Sequence, residues 1–182
     1  MAGAAAADET MQAALRERGL RLRPQRDDDA PFLRALYAGT REHELAGLDW
    51  PEPMRRTFLE QQFAAQAQHH RRHYPRAEFA VLERDGVAVG RRCLDRGHAL
   101  GGGSGPDRRG DFLLIDISLL PAWRYQGIGT LLIRDGQRQA ADLNRGLQLH
   151  VLRSNEGAYR LYLRLGFAVV ADEGAYLRMR WA

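Results

Sequence analysis

One stretch of sequence decides the fold: Leu119-Leu120-Pro121-Ala122-Trp123-Arg124-Tyr125-Gln126-Gly127-Ile128-Gly129-Thr130-Leu131-Leu132. Residues 112–120, which lead into this stretch and overlap its first two positions, are almost all apolar, which is typical of a strand buried on both faces. Pro121 ends this strand, and apolar residues at helical spacing predict a helix from Thr130 to Leu143. A short loop therefore joins a buried strand to a helix N-terminus, where unpaired backbone N–H groups converge at the positive end of the helix dipole.

This loop has the composition of a phosphate-binding loop. Gly127 and Gly129 leave space for a ligand close to the backbone, and Arg124 can add charge-assisted hydrogen bonds. Spacing excludes two other phosphate motifs: the chain has no lysine for a Walker loop, and Leu132 stands where a dinucleotide fingerprint needs a small residue. The alternative interpretation is a tight strand-to-helix turn without a ligand.

Outward from the loop, strands and helices alternate in a way that predicts one mixed α/β sheet. The other predicted strands are Leu20–Pro24, Phe79–Leu82, Val87–Asp95, Leu147–Leu152, Phe167–Val170 and Ala175–Met179, and the other predicted helices run from Asp27 to Tyr37, from Pro53 to His73 and from Asn155 to Leu165. An Asp85-Gly86 turn joins the second and third strands as a hairpin. We expect one domain over residues 19–182, with residues 1–18 forming a flexible tail or a marginal helix.

Composition limits the class of protein. The chain has 182 residues, of which 45% are hydrophobic and 27% charged, as expected of a globular domain. Its N-terminal residues lack the basic and apolar segments of a signal peptide, and no apolar run approaches a membrane span. Cys93 is the only cysteine, which excludes an internal disulfide and a cysteine-based zinc site. We therefore expect a cytoplasmic protein without a membrane partner.

The basic residues number 27 and are all arginine, and the formal net charge is +4. This charge permits an anionic ligand. A nucleic-acid partner is not expected, because the arginines are spread along the chain rather than grouped in one segment.

A second motif follows the strand Leu147–Leu152. Asn155 and Tyr162 are seven residues apart, about two helical turns, so they share one helix face. Taken separately, Asn155 is a helix N-cap and Tyr162 a partly buried core aromatic. Together with Arg124-x-x-Gly127-x-Gly129, the run Asn155 to Phe167 resembles the GCN5-related N-acetyltransferase (GNAT) superfamily, whose signatures are Arg/Gln-x-x-Gly-x-Gly/Ala and, later, Asn, Ala and Tyr before Leu-Gly-Phe.

The resemblance implies a mostly antiparallel sheet in which the strands at Ile115–Leu120 and Leu147–Leu152 splay into a V. Acetyl-coenzyme A would be the co-substrate, without a metal, with its pantetheine arm in the V and its diphosphate on the loop. The backbone N–H near Leu119 would polarise the thioester carbonyl. The cofactor-binding residues implied are Ile117, Ser118, Leu119, Arg124, Tyr125, Gln126, Gly127, Ile128, Gly129, Thr130, Asn155 and Tyr162.

The same resemblance makes Tyr162 the candidate general acid, since a phenol stays protonated at pH 7 and can protonate a leaving thiolate. The base is left open. Asp116 is an acid in an apolar strand and by alternation shares a face with Leu114 and Ser118; the alternative is a carboxylate satisfied by a neighbouring arginine. His150 is a second candidate and water a third.

The acceptor is expected at the segment from Thr40 to Pro51, read as a loop. Glu42, Glu44 and Trp50 would suit a cationic amine there, although a polar loop of this kind is more often simply solvated. The predicted function is direct acetyl transfer to a primary amine of a small molecule or peptide. The alternative is a non-catalytic acyl-coenzyme A-binding module, and the chain is compatible with a homodimer.

Overall fold

The computed structural model describes residues 11–45, 47–97 and 110–182, and these form a seven-stranded sheet flanked by helices. The strands are β1 (Leu20–Pro24), β2 (Glu78–Arg84), β3 (Val87–Asp95), β4 (Phe112–Leu119), β5 (Leu147–Leu152), β6 (Ala168–Glu173) and β7 (Tyr176–Trp181). The helices are α1 (residues 11–16), α2 (Ala30–Leu45), α3 (Glu52–His73), α4 (Ile128–Ala141) and α5 (Glu156–Arg164), with short 3-10 turns at Asp27–Asp29 and Pro121–Trp123.

The sheet order is β1-β2-β3-β4-β5-β7-β6, and every neighbouring pair is antiparallel except β4 and β5. The parallel pairing of β4 with β5 covers only three positions and ends at Leu114, opposite Leu149. Beyond this point the two strands diverge. The predicted fold class, a mixed and mostly antiparallel sheet with a V-shaped splay between the fourth and fifth strands, is confirmed.

A β-bulge in β4 coincides with the start of the splay. Asp116 lies opposite Cys93 and Leu114 lies opposite Leu94, so Ile115 has no partner in the β3 register. Because the extra residue reverses the alternation, Asp116 and Leu114 point to opposite faces of the sheet. The prediction that they share a face is therefore wrong, whereas Asp116 and Ser118 do share one.

The burial of β4 changes at the same bulge. Residues 112–114 are buried, while residues 115–119 are only half-buried. The prediction that the whole strand is buried on both faces is wrong, because residues 115–118 line a cavity that opens beside this half of β4.

The N-terminal segment packs against the sheet and α4. Met11 and Leu15 on α1 are buried at 1% and 0% exposure, in a cluster that includes Leu20, Ile128 and Leu132. Of the two expected states of this segment, a flexible tail or a marginal helix, residues 11–16 adopt the helix, which is packed because two apolar residues four apart cover the N-terminal half of α4. Residues 1–10 of the expected tail lie outside the described residues.

The helix α2 is longer than predicted. It begins after the 3-10 turn Asp27–Asp29 and continues to Leu45 rather than Tyr37. The sequence predicts an apolar stripe of Phe32, Leu33, Leu36 and Tyr37 on this helix; the last three are buried and Phe32 is half-buried. The expected acceptor loop thus begins as helix, since nothing in the polar residues after Tyr37 ends a helix once its first turns are packed.

The β2–β3 hairpin forms at the predicted turn, with Asp85 and Gly86 both in the left-handed region at φ 51° and 81°.

A buried ion pair joins β3 to α4. Arg92 Nη1 donates to Asp135 Oδ2 at 2.7 Å, and both side chains are 1% exposed. The pairing connects positions 43 residues apart, so local pattern could not foresee it.

Candidate active site

A cavity of about 270 Å³ lies where β4 and β5 diverge. It is enclosed by α2 and α3 residues, by β3, by both diverging strands, and by α5 and β7. The polar and aromatic residues that line it are Tyr37, Thr40, Arg41, Gln66, Arg91, Asp116, Ser118, His150, Asn155, Tyr162 and Tyr176. The candidate acid and both candidate side-chain bases predicted from the sequence therefore lie around one space.

Tyr162 projects from α5 and is buried at 8% exposure, packing against Phe167 with ring centroids 5.8 Å apart. Burial raises the pKa of this phenol to about 12, and the negative charge of Asp116 adds to the effect. The hydroxyl therefore retains its proton across the physiological range.

Asp116 has the arginine partner foreseen as the alternative. Its Oδ2 lies 3.2 Å from Arg91 Nε, and its Oδ1 accepts a hydrogen bond of 2.8 Å from Ser118. Arg91 is itself supported from behind by His70, whose Nδ1 lies 3.1 Å from Arg91 Nη2. Burial, together with the charge of Arg91, lowers the pKa of His70 to about 4, so this imidazole is neutral at pH 7.

His150 is the first residue of β5 beyond those paired with β4, and it lines the cavity. Its Nε2 lies 3.1 Å from Glu173 Oε2 on β6, and the other oxygen of Glu173 is 3.1 Å from Arg178 Nε on β7. When Nε2 carries the proton it donates to Glu173, and Nδ1 is then the acceptor atom of the ring.

Asn155 is the helix N-cap that the sequence predicts, while its role in binding the cofactor stays a prediction. Its side-chain oxygen accepts a hydrogen bond of 3.1 Å from the N–H of Ala158, which makes it the N-cap of α5. It also lines the cavity at the mouth of the splay.

The phosphate loop leaves the end of β4 and enters α4 through two residues in the left-handed region. Tyr125 has φ 59° and is fully exposed, and Gly127, the N-cap of α4, has φ 76°. A Cβ at Gly129 would meet no atom within 4 Å, so the loop is open on the side of this glycine. The N–H groups of the first turn of α4, at Ile128 and the two residues after it, have no acceptor within the helix.

Two side chains brace this loop from within. Arg124 Nε donates to Leu119 O at 2.9 Å, and Gln126 Nε2 donates to Ala122 O at 2.6 Å. The guanidinium of Arg124 thus ties the loop to the last residue of β4, and its predicted contact with phosphate stays a prediction.

Two of the predicted acceptor residues, Glu42 and Trp50, are not among the residues that line the cavity. Glu42 is exposed on α2, and Trp50 packs its ring edge-on against Phe58 with centroids 5.1 Å apart. The side chain of Glu44 lies outside those that the structure describes. Among the described residues of α2, Tyr37, Thr40 and Arg41 line the cavity, and the binding of an acceptor by Glu42, Glu44 and Trp50 stays a prediction.

The sequence did not predict the cavity residues that α2, α3 and β7 contribute. Tyr37 was assigned only to a buried stripe, and Gln66 and Tyr176 carried no signal. Their position depends on how distant elements pack, which no local spacing encodes.

The comparisons with known proteins agree with this architecture. The acetyltransferase (GNAT) family model matches residues 40–167, and the chain belongs to this family. The N-acetyltransferase PaiA of Thermoplasma acidophilum, solved in complex with coenzyme A, has a TM-score of 0.64 and 17% identity over 88% of this chain and 97% of that one.

Two further solved structures are similar. An acetyltransferase of Thermus thermophilus has a TM-score of 0.62 and 22% identity, over 89% of this chain and 96% of that one. The putative acetyltransferase YncA of Salmonella typhimurium, solved with acetyl-coenzyme A, has a TM-score of 0.55 and 18% identity, over 89% and 92%. None of the curated proteins shows significant similarity to this chain.

Across residues 11–45, 47–97 and 110–182, no helix is both long and apolar enough to cross a membrane. The same residues contain no cluster of three or more histidine, cysteine, aspartate or glutamate side chains arranged to hold a metal ion.

Proposed function

We propose that this GNAT-family protein is an N-acetyltransferase that transfers the acetyl group of acetyl-coenzyme A directly to a primary amine of a small molecule or peptide. The observation that carries the proposal is the cavity at the splay, where Asp116, His150 and Tyr162 from three different elements line one space. The phosphate loop begins at the end of β4, the strand that forms one wall of this space.

The residues present fit coenzyme A. The N–H groups at the start of α4 and the open side of Gly129 suit a diphosphate. Beyond Leu114, β4 has no strand partner on the β5 side, so an extended arm with amide groups can bind there as an added strand. When bound, the thioester supplies the activated acetyl group.

Tyr162 acts as the general acid in this proposal. Its burial keeps the proton on the phenol, and its place in the cavity wall lets the hydroxyl donate to a thiolate as it leaves. A buried tyrosine needs a partner for its polar end, and the cavity is where that partner would bind.

His150 is the proton acceptor that the geometry favours over Asp116. The charge of Asp116 is already compensated by Arg91, and Ser118 occupies one of its oxygens. Glu173 instead holds His150 by one nitrogen, which leaves the other to accept the amine proton, directly or through water. Asp116 then orders the floor of the cavity.

Cys93 takes no part as an acyl carrier. It is buried at 0% exposure, its thiol accepts from Arg91 Nε, and burial raises the pKa of the thiol to about 12. Nucleophilic catalysis needs the thiolate. The proposal is therefore direct transfer without a covalent enzyme intermediate.

The test is an acetyl-transfer screen over panels of small amines and peptides, followed by thiol release from acetyl-coenzyme A and by mass spectrometry of the product. We expect amine-dependent thiol release and an acetylated amine. Coenzyme A binding without transfer to any amine would favour the alternative, a non-catalytic acyl-coenzyme A-binding module. Absence of both binding and transfer would contradict the proposal.

A further inference from the structure

The N-terminal segment reaches the phosphate loop through one arginine. Arg18, on the turn after α1, donates from Nη1 to the backbone oxygen of Gln126 at 3.0 Å. The two residues are 108 positions apart. The segment is held in place because Met11 and Leu15 of α1 are buried against Ile128 and its neighbours on α4.

The contact fixes the direction of a backbone N–H group. No cis peptide occurs among the described residues, so the bond between Gln126 and Gly127 is trans. In a planar trans peptide the C=O and the following N–H point in opposite directions. Because Arg18 holds the Gln126 oxygen from one side, the Gly127 N–H is directed to the other side of the loop.

This restraint matters because the peptide on the N-terminal side of Gly127 needs its own anchor, whereas the Gly127 carbonyl is already held by the N–H of Leu131 at 3.0 Å. Its φ of 76° lies in the left-handed region, where glycine has several accessible conformations. Arg18 Nη1 is also 3.6 Å from the position that a Cβ on Gly127 would occupy, so the guanidinium packs directly behind the loop. A cation on the carbonyl in addition polarises the peptide and strengthens its N–H as a donor.

We propose that Arg18 is a positioning residue for the diphosphate of coenzyme A, acting from behind the loop through the Gln126–Gly127 peptide. The inference rests on the proposed function, but the residue is new to it, since Arg18 lies outside the matched residues 40–167 and outside both sequence motifs. The N-terminal segment thus belongs to the cofactor site.

The expected effect is on cofactor binding alone. Arg18→Ala raises the KM for acetyl-coenzyme A and the Kd for coenzyme A by about 3- to 10-fold with kcat unchanged, because the lost interaction serves the ground state and transition state equally. Arg18→Gln keeps a donor and recovers part of the loss. Arg16→Ala removes an exposed arginine of the same segment and is the matched control for charge, with no change expected.

The decisive readout compares two acetyl donors. With acetyl-pantetheine, which lacks the diphosphate, Arg18→Ala and the wild type should have the same kcat/KM, while with acetyl-coenzyme A they should differ. An equal loss with both donors would mean a general structural role and would overturn the inference. So would equal coenzyme A affinity of wild type and Arg18→Ala. A wild type that binds no coenzyme A would instead contradict the proposed function itself.

Discussion

At the phosphate-loop end of the cleft, the backbone features that would receive a ligand come from one continuous stretch, residues 119–132. At the other end, which we propose for the acceptor, the walls come from α2, α3, β3, β5 and β7, which are far apart in sequence. The first end could be read from spacing, because a strand, a glycine loop and a helix N-terminus determine its geometry locally. The second end exists only after distant elements pack. Substitutions at the two ends should therefore affect different substrates.

The largest expected effect is at Tyr162, where the two ends meet. Tyr162→Phe keeps the ring and its packing against Phe167 but removes the proton donor. We expect acetyl transfer to fall by roughly 10²–10⁴-fold, nearer the lower value because water can partly replace the phenol. Coenzyme A affinity, measured by calorimetry, should change by less than about twofold. Turnover close to the wild-type rate would show that Tyr162 is only a packed aromatic.

The next effect separates the two candidate bases. His150→Gln should lower kcat/KM by about 10²-fold, because it removes the imidazole nitrogen that accepts the amine proton. Asp116→Asn, which keeps the size of the side chain beside Arg91 and Ser118, should lower it by less than about tenfold. A larger loss of kcat/KM in Asp116→Asn than in His150→Gln would assign the base to Asp116.

The stability of the protein should depend on pH through His70, the residue that contacts Arg91 from behind the cavity. The folded state holds the pKa of His70 at about 4, below the ordinary 6.5, because the ring is buried. Between these values the unfolded chain binds a proton that the folded chain does not, so stability falls as pH decreases from 6.5 to 4.

Through His70, the free energy of unfolding should fall by roughly 2 to 3 kcal/mol between pH 7 and pH 4.5. His70→Gln, which keeps an acceptor for Arg91, should lose this share of the pH dependence in urea unfolding at pH 7 and pH 4.5. His73→Gln, at an exposed position of the same helix, should behave as the wild type. If the free energy of unfolding changed equally with pH in all three proteins, His70 would not be the source of the pH dependence.

The smallest effect should appear at the acceptor wall. Gln66→Ala removes a half-buried amide from the cavity lining, and the loss of one neutral hydrogen bond should raise the acceptor KM about fivefold. The KM for acetyl-coenzyme A should not change. Glu42→Gln, on the exposed side of α2, should leave both constants within about twofold. A rise in the acceptor KM alone in Glu42→Gln would support the prediction that Glu42 binds the acceptor.

The sequence predicted the elements that local pattern determines. Strand β5 was predicted with its bounds, Leu147–Leu152, and the Asp85-Gly86 hairpin and the loop into α4 were predicted with their positions. In each case a short run of residues determines the backbone: alternation, a turn that takes positive φ, or a proline followed by glycines. The family assignment follows from the same local signatures and is confirmed.

The features that were missed depend on distant contacts. The bulge at Ile115 arises from the register between β3 and β4, and it reverses the face of Asp116. The extension of α2 to Leu45 and the burial of Met11 depend on packing against other elements. The acceptor residues Glu42 and Trp50 were chosen for their chemistry within one segment, and chemistry alone could not give the direction in which that segment faces.

The most direct test of the cofactor site is thermal unfolding with and without coenzyme A, on the wild type, Gly127→Val and Gly86→Val. Both glycines have positive φ, at 76° and 81°, so valine is strained at each, but Gly86 lies in the β2–β3 turn, away from the loop. At about 100 times its Kd, coenzyme A should stabilise the wild type by about 2.7 kcal/mol, or about 5–10 °C. Gly86→Val should keep this shift and Gly127→Val should lose it. Equal protection of all three proteins would contradict the account that the loop at residues 124–130 binds the cofactor.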